Sequence, residues 1–146
     1  MSISRTVYLR RRDMPEPKAW AAAIEAAGFP MSMDTDFDVE RMSGFLPCRY
    51  EGKESGFEYF FSTVSAMKED NGDDFALPDI GDRDVGVSFV THSSMRGLVT
   101  AVIAAAVLCE RAGGVLHDEE ADELISAADA VADARDLIAS VGDDLD

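Results

Sequence analysis

Between Leu98 and Cys109 the chain runs for twelve residues with one polar interruption, Thr100. Leu98, Val102, Ala105, Ala106 and Cys109 follow helical spacing, and Val99, Ile103 and Val107 fill the neighbouring faces. A helix that is apolar all round offers no face to water, so other elements must cover it on every side. A bilayer span needs roughly 18 to 20 such residues. The stretch therefore predicts a buried helix at the centre of a globular core, capped by Ser93 or Ser94 and ended by Gly113-Gly114.

The remaining elements have to supply that cover. Ile3 to Leu9 reads as a first strand, with Ile3, Val7 and Leu9 on one parity, ended by Arg10 to Arg12. Pro15 and Pro17 suit the first turn of a helix that Asp13 caps and that runs to about Ala27, where Gly28 stops it. Residues 31 to 41 alternate, Met33, Thr35, Phe37 and Val39 against Asp34, Asp36, Asp38 and Glu40, which predicts a half-buried strand with an acidic face. Two strand-like runs, 44 to 50 and 57 to 64, flank the glycine-containing turn Glu51 to Gly56 and predict a hairpin. Pro47 cannot donate to a ladder, so its strand is expected at an edge or bulged. Lys68 to Asp84 is the longest loop, and Val85 to Thr91 reads as a central strand.

At the C-terminal end, 115 to 117 and 123 to 125 form the arms of a small hairpin around an acidic turn, or else one helix runs from Glu119 to Ala139. The hairpin is preferred because Ser126 looks like the cap of a helix from Ala127 to about Val141. A frayed acidic tail follows from about 142. The expected fold is one α+β domain over residues 1 to 146, a mainly antiparallel sheet of about five strands with three helices packed on one side.

Charge narrows the function. Thirteen basic residues stand against 29 acidic ones, a net charge of −16, which repels nucleic-acid phosphate and could steer a basic protein partner. It is unevenly placed: residues 1 to 18 carry five basic and two acidic groups, residues 117 to 146 eleven acidic groups and one arginine. The arginines near the start are not followed by an apolar segment, so no secretion signal is read and a cytoplasmic location is expected. Cys48 and Cys109 are expected as free, buried thiols.

Several constellations were weighed for chemistry. Asp34-x-Asp36-x-Asp38 has calcium-loop spacing, but the sixth position holds Val39 and the twelfth Phe45, where such loops need Gly and Glu. Gly81 to Gly86 precedes a strand and lacks the lysine of a phosphate loop. No metal ligand set, no cofactor and no catalytic residue is assigned, and the balance leans away from an enzyme. Candidate binding residues are Arg49, Tyr50, Phe57 and Tyr59 on the hairpin, grouped with Phe45 and Lys53, where aromatics and arginine favour a protein contact. Asp73 and Asp74 in the long loop are candidates for a basic partner. His92, Ser94 and Arg96 form a third group, at a helix N-terminus that could attract an anion.

The alanine-rich helix, Gly113-Gly114-Val115-Leu116-His117-Asp118, Leu124-Ile125-Ser126 and a final alanine-rich helix, together with Gly44-Phe45-Leu46-Pro47 and Gly56-Phe57-Glu58-Tyr59-Phe60, cover about half the chain. The run from the alanine-rich helix onward resembles the C-terminal half of small bacterial α+β proteins, some of them immunity proteins of polymorphic-toxin systems, and the two segments within 44–60 are similar to such proteins as well. The resemblance implies a non-enzymatic protein that binds and blocks a toxin, and it carries over no functional residue. Two other readings stand beside it: a small-molecule or anion binder, or enzyme, using the cleft near His92, and a structural protein that forms homo-oligomers through its hairpin aromatics.

Overall fold

The computed structural model describes residues 2–72, 77–142 and 145. It is an α+β fold in which seven strands form one antiparallel sheet: β1 (Ile3–Leu9), β2 (Met31–Met33), β3 (Ser43–Tyr50), β4 (Lys53–Thr63), β5 (Val85–Thr91), β6 (Val115–Asp118) and β7 (Glu123–Ser126). Their order across the sheet is β2-β3-β4-β5-β1-β6-β7. The described residues also form four helices, α1 (Pro17–Ala26), α2 (Val64–Asn71), α3 (Met95–Ala112) and α4 (Ala130–Val141). Antiparallel pairing and the α+β class match the sequence reading; about five strands and three helices were too few.

The all-round apolar helix is α3, and it touches β1, β3, β4, β5 and β6 below and α1 and α4 beside it. Its alanines make this possible, because Ala101, Ala104, Ala105 and Ala106 let neighbouring backbones come close while remaining buried. Ser94 Oγ accepts from Gly97 N at 3.0 Å and caps its start, and Gly113, left-handed at φ 64°, ends it.

Strand parity decides what lies beneath the helices. Val7, Leu9, Val85, Val87, Phe89, Leu46, Phe57 and Tyr59 all point to the α3 side and join one core cluster. Trp20 of α1 is fully buried there, edge-on to Phe89 with ring centroids 5.8 Å apart. Its Nε1 donates to the carbonyl of Ala104 at 3.1 Å, tying α1 to α3. Arg5, on the same parity of β1, reaches Asp118 of β6 at 3.4 Å and Asp133 of α4 at 3.3 Å. That contact fixes the C-terminal hairpin and α4 to β1.

Four local expectations are corrected. The strand expected over 31 to 41 ends at Met33, because Asp34 and Asp38 side chains accept from the backbone N–H of Asp36 and Glu40 and fold the segment into turns. Asp13 does not cap α1; it closes a short 3₁₀ turn (Arg11–Asp13), and Glu16 occupies the cap position without a side-chain bond. Residues 64 to 71 are helical because Thr63 Oγ1 accepts from Ala66 N at 3.1 Å and starts α2 where a strand end and loop were read. The C-terminal hairpin is present, but Ser126 bonds the Asp129 carboxylate at 3.1 Å and α4 begins at Ala130, three residues later than expected. The acidic tail lies, apart from Leu145, outside the described residues.

The helix α2 lies on the other side of the sheet from α3. A Cβ on Gly86 would stand 2.5 Å from the Met67 methyl and near Thr6 and Tyr8, the even parity of β1. A second, smaller cluster of Tyr8, Val64 and Ile80, flanked by Met67, Leu77 and Val115, forms there.

Candidate functional site

The hairpin β3–β4 turns at Glu51 and Gly52, which have φ of 53° and 79°. Positive φ at both central residues is the signature of a two-residue type I′ turn, whose twist suits antiparallel strands. The turn fixes the register, with Tyr50 opposite Lys53, Pro47 opposite Gly56 and Phe45 opposite Glu58. In such a ladder alternate residues direct their N–H and C=O to opposite sides. Pro47 directs its carbonyl to β2, where it accepts from Asp34 N at 3.1 Å. Its missing donor therefore falls on the β2 side, and β2 pairs no further than this position. The expected edge or bulge is met differently: β3 lies inside the sheet, and its proline marks the end of a three-residue edge strand.

This register sorts the hairpin aromatics. Phe57 is 2% exposed, Tyr59 0% and Tyr50 6%. All three face the helices, and Tyr59 donates its hydroxyl to the carbonyl of Val39 at 2.6 Å. They build the core rather than a contact surface, because the odd parity of β4 is the one that α3 covers. The even parity faces away from α3, and there Phe45 is 59% and Phe60 38% exposed. Phe45 stands opposite Glu58 and Phe60 two residues further along β4, so the two residues hold diagonal positions on one face, with the Phe45 ring leaning the other way, over Gly56. Val90 of β5, half-buried, stands on the other side of Glu58. Thus α2 and the residues around Ile80 cover the β5–β1 part of this face, while the β3–β4 part stays open.

Gly56 holds Phe45 in place. It adopts φ 156°, and a Cβ there would lie 2.3 Å from the Phe45 ring and 2.7 Å from the Leu46 carbonyl oxygen. The ring thus covers bare backbone, as aromatics do over glycines in sheets. Gly56→Ala is expected to lose about 2 kcal/mol of stability from the strained φ and the fixed carbonyl, measured by urea denaturation; an unchanged midpoint would show that the ring is not seated on this glycine.

Beside Phe45 lies a concavity of about 630 Å³, lined by Ser32, Asp34, Phe45, Pro47, Arg49 and Glu54 among others. Arg49 is exposed on the open face, 3.9 Å from Glu54, and with Phe45 is a hairpin candidate that the structure places at this surface. Acidic groups dominate the surroundings, with Asp34, Glu54 and Glu58 around the aromatic pair. His92 is exposed next to them, its Nε2 2.7 Å from Glu58 Oε2. The other two members of the His92 group are held in the scaffold: Ser94 caps α3, and Arg96, 7% exposed, donates to the carbonyl of Tyr50 at 3.1 Å. Asp73 and Asp74 lie outside the described residues.

Both thiols are buried, and burial pushes Cys48 up to about 11 and Cys109 up to about 12. The reactive thiolate is therefore scarce at neutral pH at either position. Among the described residues no three His, Cys, Asp or Glu side chains gather where they could hold a metal ion, and no helix is long and apolar enough to cross a membrane.

Aromatics on both parities of β4, Phe57, Tyr59, Phe60 and Phe61, left Phe60 open in the sequence between core and exposed patch, while Glu58 and Pro47 were missed as surface residues. A signal was there: the even parity of β4 carries Glu54 and Glu58, and carboxylates mark the face that helices leave uncovered. The chain matches no protein-family model, and a search of curated proteins finds no match.

Proposed function

We propose that the protein is a non-enzymatic binding protein that recognises a basic protein partner through the open sheet face of β3 and β4. The observation that supports this best is the exposed pair Phe45 and Phe60, set among Asp34, Glu54 and Glu58. Aromatic side chains left in water on a rigid sheet are the usual anchors of protein contacts, and a carboxylate rim selects partners of opposite charge. The net charge of −16 adds long-range attraction for such a partner. An immunity-like role in the cytoplasm, blocking a basic toxin such as a nuclease, is the form of this function that the sequence resemblance favours.

Selection of random 12-residue peptides by display on the immobilised protein tests the reading. Lysine and arginine are expected to be enriched together with at least one large apolar residue, and the enrichment is expected to vanish on the Phe45→Ser/Phe60→Ser double variant. Selected peptides without basic enrichment, or equal recovery on the double variant, would count against it.

A further inference from the structure

We infer that the partner is captured as an extended strand that adds to the free edge of β2, with apolar and basic residues alternating along it. The inference rests on the reading of the chain as a binding protein and specifies the mode of recognition. At this end of the sheet β2 is the outermost strand. Asp34 directs its N–H to the carbonyl of Pro47, and Ser32, two residues before it, has the same orientation toward Arg49. Met31 and Met33 therefore direct their N–H and C=O groups away from β3, toward the position a further strand would occupy.

Two grooves meet at this edge, one on each face of the sheet. The open-face groove of about 630 Å³ contains Asp34, Phe45, Pro47 and Glu54. The helix-face groove, about 600 Å³, runs between α1 and β2 and contains Ala21, Ala22, Phe29 and Met31. Ser32, Met33 and Arg49 belong to both, so the grooves are the two sides of one edge. Successive side chains of an added strand fall on alternate faces. One set would enter the helix-face groove, where Ala21, Ala22 and Phe29 offer apolar contact between the charged Lys18 and Glu25. The other would lie on the open face, where Phe45 and Pro47 can cover the stem of a lysine or arginine and Asp34 and Glu54 can meet its charge.

Charge also decides against a second copy as the occupant. Edge-to-edge pairing of two β2 strands would bring together the exposed Asp34 and Asp36 of two chains that each carry −16. The acidic run that discourages pairing with a copy selects a basic strand.

The test uses the full chain, ¹⁵N-labelled, and two synthetic eight-residue peptides of equal composition, one alternating valine and lysine and the other with its valines and lysines in separate blocks. The alternating peptide is expected to bind at least about tenfold more tightly, to shift the amide signals of Met31 and Met33 and to slow their hydrogen exchange. Ala22→Arg, an exposed substitution in the helix-face groove, is expected to weaken it about tenfold. Equal binding of the two peptides, no binding of the alternating one, an unaffected Ala22→Arg variant, or a dimer whose Met31 and Met33 amides are already protected would overturn strand addition. Signal changes confined to Phe45, Glu58 and Phe60 would overturn it too, while leaving the open-face reading, which the display selection decides separately.

Discussion

Trp20→Ala is expected to remove about 4 kcal/mol of folding stability, a large part of the roughly 5–15 kcal/mol that holds a typical domain together. Two losses combine at this position. The indole is fully buried against Phe89 and Tyr59, its centroid 6.1 Å from the Tyr59 ring, so truncation opens a cavity between α1 and the sheet. The bond from Nε1 to the Ala104 carbonyl disappears, and with it the polar tie between α1 and α3. Neither side of the gap can close easily, because α3 is already seated on five strands and its alanines have no longer side chains to extend into the space. Trp20→Phe keeps most of the ring volume and is expected to cost about half as much. Urea denaturation followed by far-ultraviolet circular dichroism measures both; fluorescence would not serve, since Trp20 is the single tryptophan. A loss under about 1 kcal/mol for the alanine variant would mean that the core does not close around this residue.

Arg5→Met is expected to cost about 3 kcal/mol, at the lower end of what breaking a buried ion pair costs. The guanidinium is 7% exposed and spans two carboxylates, Asp118 at 3.4 Å and Asp133 at 3.3 Å. Removing it leaves the Asp118 carboxylate, whose side chain is 16% exposed, without its counter-charge. Asp133, at 41% exposure, can turn to water and contributes less. Because Arg5 joins β1 to both the β6–β7 hairpin and α4, the loss is expected to be local first: amide exchange in 115–126 and 130–141 should speed up before exchange in β4 or β5 does. Replacing Asp118 by asparagine as well is expected to recover part of the stability, since it removes the carboxylate left without a counter-charge and keeps a side-chain oxygen for the Glu120 and Ala121 N–H groups. A double variant less stable than Arg5→Met alone would contradict this account of the contact.

Much of the scaffold was legible in the sequence because its signals are local. The all-round apolar run of α3 could only be buried, and Ser94 and Gly113 marked its ends by capping and by left-handed backbone. Alternation identified β1, β5 and the β3–β4 hairpin. It misled over 34 to 40, where aspartates satisfied the backbone through their own side chains and so imitated a strand while making turns. The helix α2 was hidden because its cap, Thr63, also ends a strand, with no glycine or proline to separate them.

The candidate site was legible only in part. That the hairpin aromatics and Arg49 belonged together could be read from their spacing. Which of them face outward depended on the side the helices take, a tertiary choice that reversed the roles of Phe57 and Tyr59 on one parity and Phe60 on the other. The free edge of β2 depended on strand order, which no local pattern encodes, although Pro47 carried the hint that pairing would stop near it.

In the proposed function Phe45 and Phe60 anchor a basic partner on the face that α3 does not cover. Its most direct measurement is the affinity of a display-selected basic peptide for the wild-type chain and for Phe45→Ser/Phe60→Ser, by calorimetry at low and moderate salt. The double variant is expected to bind at least about tenfold more weakly, equivalent to about 1.4 kcal/mol, with binding by the wild type weakening as salt rises. Equal affinity of the two proteins for the peptide would contradict it.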